Sequence, residues 1–146
     1  VGELGLIPAM TLRARIALLK QIQPGTGVSY GSTWTAQEPT TVALVPLGYA
    51  DGIPRAASGR AWVGLADSEG TRLPTVGRIA MDQFVVAVPA GVPVRVGDWV
   101  SIFGDPRHAA PTAEEWAQAS GSIGYEIVTR IGSRVPRTYR ERGMER

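Results

Sequence analysis

The feature that most limits what this chain can fold into is its punctuation: 18 glycines and 11 prolines interrupt 146 residues. Proline has no amide hydrogen and clashes inside a helix, and interior glycine weakens one, so frequent breaks favour short strands joined by turns. The runs between the breaks fit strands. Residues 10–18 alternate apolar with polar or small side chains, the period of a strand with one buried face, and Pro24-Gly25-Thr26-Gly27 closes them as a turn. Residues 40–47 read as a second strand, with Pro46 unable to donate to a ladder and so expected at an edge or bulge. Residues 61–65 form a short strand, and Asp67-Ser68-Glu69-Gly70 turns it into a hairpin with Arg72-Leu73. Residues 76–88 make the richest β segment, although Arg78, Asp82 and Gln83 in its middle are costly to bury unpaired. A turn at residues 93–98 precedes a strand over 99–103.

Helical signals are few. Thr112 and Glu115 have the spacing of a capping box; Trp116, Ala117, Ala119 and Ser120 continue the helix, and Gly121 stops it. A second short helix starts at Ser122 and carries Ile123, Tyr125, Ile127 and Val128, and residues 134–139 are extended. These elements predict a mainly β fold, a β-barrel or sandwich with one or two short helices. No repeat or long linker divides the chain, so residues 1–146 form one domain.

Composition excludes several classes. Hydrophobic residues make up 44% and charged residues 19%, a globular balance. No apolar run approaches the ~20 residues of a membrane span, and no basic-then-apolar leader is present. No membrane partner is expected, and the cytoplasm is the expected compartment. With no cysteine there is no disulfide and no thiolate-bound metal, and no metal site is expected. The net charge is only +2, yet arginines gather late, at 130, 134, 137, 140, 142 and 146. Glu141 and Glu145 dilute them and no aromatic residues interleave, so they read as a solvated strand and tail with no nucleic-acid partner. The start at Val1, not methionine, suggests a fragment or a processed product.

Phosphate loops, nucleophile elbows and H-E-x-x-H are absent. His108, the only histidine, sits in a polar loop, and Lys20, the only lysine, lacks the desolvation or neighbouring cation that activates an amine. The tyrosines stand out instead. Tyr30 precedes Gly31, Tyr49 follows Gly48 and Tyr125 follows Gly124, while Tyr139 lies outside this setting. Glycine leaves room for another group to approach, so these phenols are placed at loops or element ends with their oxygens free, or else cover a core edge. A phenol has an unperturbed pKa near ~10, and needs nearby positive charge or strong donors to act as a base at neutral pH. Residues alone support three tyrosines placed for a site and name no reaction.

Five motifs, in order, resemble those of one family: Val28-Ser29-Tyr30-Gly31-Ser32-Thr33-Trp34; Leu47-Gly48-Tyr49-Ala50-Asp51-Gly52 with Pro54-Arg55; Gly77-Arg78-Ile79-Ala80-Met81-Asp82-Gln83; Ile123-Gly124-Tyr125-Glu126-Ile127; and Arg134-Val135-Pro136-Arg137-Thr138-Tyr139. Together they span nearly the whole chain and resemble the C-terminal β-domain of bacterial alanine racemases, pyridoxal-phosphate enzymes that interconvert L- and D-alanine for cell-wall synthesis. The resemblance implies a β-barrel-like domain. It gives Tyr30 the role of the base that takes the α-proton from one face of the cofactor-bound substrate. Met81, through its backbone N–H, would hold the substrate carboxylate with Asp82 beside it. Tyr49 would narrow the entrance towards small amino acids, with Arg55, Arg78 and Ile123 nearby, and Tyr125 would contact the cofactor phosphate. The family's cofactor-binding lysine and most of the phosphate site lie in an N-terminal α/β barrel for which 146 residues leave no room. Across a homodimer, Tyr30 would serve the partner subunit's cofactor, so the isolated chain is expected to be inactive. The alternatives are a non-catalytic β-barrel that binds a ligand or partner, and a racemase of the same fold acting on serine or another amino acid.

Overall fold

Alternating burial along short runs sets the architecture. β1 (Leu12–Arg15) buries Leu12 and Ala14 and exposes Arg13 and Arg15, and β8 (Phe84–Val88) buries every second residue from Phe84. In the computed structural model, which describes residues 4–140, the other strands are β2 (Leu18–Ile22), β3 (Gly27–Val28), β4 (Trp34–Thr35), β5 (Thr40–Val45), β6 (Trp62–Leu65), β7 (Arg72–Val76) and β9 (Trp99–Phe103). Seven form one antiparallel sheet in the order β1-β9-β6-β7-β8-β5-β2, and β3 pairs with β4 as a separate ribbon. The two ends of that order, β1 and β2, are separated in the chain by Ile16 and Ala17 alone. A sheet whose outermost strands are almost contiguous must curl towards closure, giving the half-barrel. At the crossing, the Ile16 N–H donates to Asp98 O on one side and the Ala17 N–H to Leu44 O on the other, both at 2.9 Å. β7 shares in the bend: residues up to Pro74 pair with β6, whereas Thr75 and Val76 pair with β8.

The concave side holds the core, with Val45, Val63, Leu73, Phe84, Val86, Val100 and Ile102 buried together. α1 (Ala113–Ser120) adds Trp116, whose ring meets Phe84 edge-on at 6.3 Å between centroids and whose indole N–H donates to Ile102 O at 2.5 Å. The predicted capping box is present: Thr112 Oγ1 accepts from the Glu115 N–H at 3.1 Å, and Glu115 Oε2 accepts from the Thr112 N–H at 2.8 Å. α2 (Gly124–Thr129) follows and buries Ile127. A second, smaller cluster lies on the other side of β5 and β8. Ile22, Val28, Ala36, Val42 and Val76, with Trp34, Val85 and Ala87 packed against them, fasten the β3–β4 ribbon there. No helix among the described residues is long and apolar enough to cross a membrane.

The mainly β class, the β6–β7 hairpin, the 99–103 strand and the first helix agree with the sequence expectations, and β5 ends at Val45 just before Pro46. Four details differ. The alternation over residues 10–18 belongs to two strands, because Leu12, Ala14 and Ile16 stay buried while the pairing partner changes from β9 to β5. The 76–88 segment is interrupted: Arg78, Asp82 and Gln83 lie in a loop between β7 and β8, where their polar groups avoid the sheet interior. The second helix begins at Gly124, with Ile123 as its cap in extended conformation. Residues 134–139 join no strand ladder. Arginine and tryptophan also meet in space where the sequence shows no interleaving: the Arg13 and Arg15 guanidinium carbons lie 4.9 and 4.4 Å from the Trp99 ring centroid, and that of Arg72 lies 4.2 Å from Trp62's. Of the late basic residues, Arg142 and Arg146 lie outside the described residues, as do Glu141 and Glu145.

Candidate functional site

The β3–β4 ribbon carries Tyr30 on a single turn of 3-10 helix, Tyr30–Ser32. Its entry is strained, since Ser29 sits at φ 63° and ψ −173°, a region almost reserved for glycine and costing about 1–3 kcal/mol. The Ser29 hydroxyl donates to Arg78 O at 2.6 Å, tying the ribbon to the β7–β8 loop. Gly77 comes so close that an added Cβ would lie 2.7 Å from Val28 O. A Cβ at Gly31 would stand 3.4 Å from Arg78 Nη1, so that guanidinium overlies the turn holding Tyr30. Tyr30 itself is 69% exposed.

Tyr49 lies on a second turn of the same type, Tyr49–Asp51, docked on the other half of that loop. The Tyr49 N–H donates to Ala80 O and the Ala50 N–H to Met81 O, both at 3.0 Å. Gly48 is required by space: a Cβ there would fall 2.3 Å from both Ala80 O and Met81 O. Asp51 is buried, and its Oδ2 accepts from the Gly48 N–H at 2.9 Å. Residues 77–83 therefore touch the Tyr30 turn at one end and the Tyr49 turn at the other. Met81 is half exposed, and its N–H donates to no other described residue.

Arg134 closes this group from the C-terminal segment. Its Nε lies 3.3 Å from Asp51 Oδ1 and its Nη2 donates to Asp82 Oδ1 at 2.8 Å. The Asp82 hydrogen bond first, and then the charges of Asp51 and Asp82, raise the Arg134 pKa above its ordinary value. Arg55 opens the turn Arg55–Ala57, which is joined to the same loop where the Ile79 N–H donates to Ser58 Oγ at 2.9 Å. Arg55 also lines a shallow cleft of about 360 Å³ with Ser120, Ser122, Glu126 and Arg130.

Tyr30, Arg78, Met81, Asp82, Tyr49 and Arg55 thus gather on or around one loop. Ile123 and Tyr125 stand exposed at the start of α2, with no side-chain hydrogen bond or ion pair to that loop. Their helix reaches it indirectly, since Arg130 O packs on Gly52 beside the Tyr49 turn. Lys20 is exposed on β2 opposite Val42 and joins none of these contacts. His108 belongs to a separate turn held by Asp105 and Arg107, where hydrogen bonds from the Arg107 side chain and backbone pull the Asp105 carboxyl down to about 2. Arg134 and Asp51 each stand in one of the five motifs, but sequence reasoning assigned neither a role in the site and did not pair them. The signal available was an Asp-Gly turn inside a motif whose aspartate had no assigned role.

Comparison with known proteins places the chain as a whole. The family model described as "Alanine racemase, C-terminal domain" matches residues 9–139. The alanine racemase of Mycobacterium avium is 51% identical over 97% of this chain and 36% of its own length. The crystal structure of alanine racemase from Streptomyces lavendulae superposes with a TM-score of 0.89 at 54% identity, covering 96% of this chain and 36% of that one. An alanine racemase of Clostridium difficile 630 in complex with cycloserine gives 0.79 at 40% identity, covering 89% and 33%. The chain therefore spans about a third of the length of these relatives. The half-barrel, the motif order and a family match running almost from end to end lead to one placement: this chain belongs to the alanine racemase C-terminal domain family.

Proposed function

We propose that residues 1–146 are the C-terminal domain of a pyridoxal-phosphate-dependent alanine racemase and supply the tyrosine base of a two-base interconversion of L- and D-alanine. The observation that carries this reading is Tyr30, an exposed phenol on a strained turn with the Arg78 guanidinium laid over it. Strain of this kind is kept where the surroundings over-determine it, commonly at functional sites. The residues present fit part of a pyridoxal-phosphate site: the exposed Tyr30 and Tyr49 phenols, the Arg78 guanidinium and the open Met81 amide lie on or beside the loop of residues 77–83. The amine that holds the cofactor is not among them, since Lys20 lies on β2, and it comes from the rest of the longer protein. When bound, the cofactor takes up the electron pair left at Cα as the proton departs. Tyr30 moves the α-proton on one face. The Met81 N–H holds the substrate carboxylate, and the Tyr125 hydroxyl donates to the cofactor phosphate. Tyr49, with Arg55, Arg78 and Ile123, narrows the way in. The enzyme works as a homodimer in the cytoplasm, Tyr30 serving the partner subunit's cofactor, and its D-alanine goes to the cell wall. The cycloserine complex of the C. difficile relative supports a substrate of the size of alanine.

Racemisation of L-alanine by the full-length protein, dependent on added pyridoxal phosphate, is the direct test, and its absence would overturn the reading. Two further outcomes are expected. The chain alone, folded by circular dichroism, should develop no visible absorbance with pyridoxal phosphate; a stable coloured adduct lost in Lys20→Ala would contradict it. In the full-length enzyme, Tyr49→Ala should widen the range of accepted amino acids more than it slows alanine, because a bulky group at an entrance discriminates by clash. kcat/KM for alanine against serine and larger amino acids measures this. Unchanged ratios with a collapse in turnover would move Tyr49 into the chemistry.

A further inference from the structure

Among the described residues, Arg134 is the side chain that ion-pairs with the Tyr49 turn and the β7–β8 loop at once, meeting Asp51 in the turn and Asp82 beside Met81. We propose that Arg134 is a positioning residue: it sets the spacing between the Tyr49 turn and the Met81–Asp82 loop, and through it the grip on the substrate carboxylate and the width of the entrance. The proposal rests on the function proposed above.

The Arg134–Asp82 leg alone would mean little, because both side chains are more than half exposed and such pairs contribute weakly. Asp51 changes the balance. Its side chain is 7% exposed, and a buried carboxylate is costly unless each oxygen is matched. The two oxygens are divided, Oδ2 to the Gly48 N–H and Oδ1 to Arg134. Without Arg134 the Gly48–Gly52 turn must open to let water reach Oδ1. It cannot open without disturbing the hydrogen bonds from Tyr49 and Ala50 to Ala80 and Met81, because the backbones meet at Gly48 with no spare room. A guanidinium has donors in a fixed fork and can serve two carboxylates together, which an ammonium on a flexible stem does poorly. The C-terminal segment has other anchors: the Arg137 side chain donates to Ile131 O at 2.7 Å, and the Gly132 N–H donates to Asp51 O at 2.9 Å. Losing Arg134 therefore leaves the segment in place and loosens the Tyr49 turn against the Met81–Asp82 loop.

The test uses the full-length enzyme with Arg134→Ala, Arg134→Lys, Asp82→Asn and Tyr30→Phe. Arg134→Ala should raise KM for L-alanine about tenfold with kcat changed much less, the pattern of lost binding, and should lower the preference for alanine over larger amino acids. Arg134→Lys should recover only a minor part of both effects. Asp82→Asn should shift KM in the same direction by less, and adding it to Arg134→Ala should change little further, since the two act as one unit. If Arg134→Ala fails to fold, the lysine and asparagine variants carry the same expectation, and wild-type KM and specificity in both overturn it. So does a fall in kcat at unchanged KM. Wild-type behaviour of the Arg134 variants beside a collapsed Tyr30→Phe sinks the positioning role alone; normal racemisation by Tyr30→Phe sinks the proposed function.

Discussion

Tyr30→Phe in the full-length enzyme should slow racemisation about 10²–10⁴-fold, the usual loss when a positioned acid–base group is removed. The ring stays and only an oxygen goes, and because the side chain is largely exposed the fold has little to lose. The thermal midpoint should stay near that of the parent, which separates chemistry from stability. The defect should also depend on the face. Racemisation by two bases needs one group on each side of Cα, and in the proposed function Tyr30 is one of them. Exchange of the α-proton with solvent should therefore fall for L-alanine and survive better for D-alanine. Equal losses for both enantiomers would argue against a one-face role, and near-normal turnover would remove Tyr30 from the reaction.

The largest effect on stability is expected from Trp116→Ala, about 3–5 kcal/mol for an aromatic ring deleted from a packed interior. Trp116 is 1% exposed, seals the concave side of the sheet against Phe84 and satisfies Ile102 O. Truncation opens a cavity and leaves that carbonyl without its donor, which adds to the transfer loss. A domain of ordinary stability, about 5–15 kcal/mol, would lose a large share of it. Urea unfolding followed by circular dichroism would measure the change, and a shift under about 1 kcal/mol would show that α1 is a peripheral addition. Trp116→Phe should recover most of the packing and none of the hydrogen bond. The damage should spare one half of the site: Ile123 and Tyr125 stand on α2, next to α1, whereas the Tyr30 ribbon rests on the separate cluster around Val28 and Val42.

The class of fold was legible because its determinants are local. Glycine and proline limit run length, alternation marks the buried face, and a threonine three residues before a glutamate begins a helix. Pairing is a different matter. Leu12, Ala14 and Ile16 keep one unbroken rhythm while the strand's neighbour changes, and no local pattern records which distant strand that neighbour is. The break at Gly77 had its warning in Arg78, Asp82 and Gln83, polar residues too many for a strand interior. Of the site, the glycine-flanked tyrosines could be picked out because glycine beside a phenol is visible in one dimension. Ser29 in a glycine-like conformation could not, since serine rarely goes there and only the Ser29–Arg78 hydrogen bond explains it. Arg134 looked like one of several solvated cations. What sets it apart is a buried carboxylate more than eighty positions earlier, and burial is a property of the folded chain.

The near-contiguity of β1 and β2 also bears on how the chain is made. During synthesis β2 can pair as soon as Thr40–Val45 follows it, but β1 has to wait for Trp99–Phe103, long after it has left the ribosome. Until then a strand with two buried apolar residues stands without a neighbour, the kind of open edge on which nascent chains aggregate. Completing the sheet thus joins Leu12–Arg15 to Trp99–Phe103, and contacts so distant in sequence make folding slow. Arg13 and Arg15, facing outwards from β1, give that waiting strand two charges to keep neighbouring chains apart.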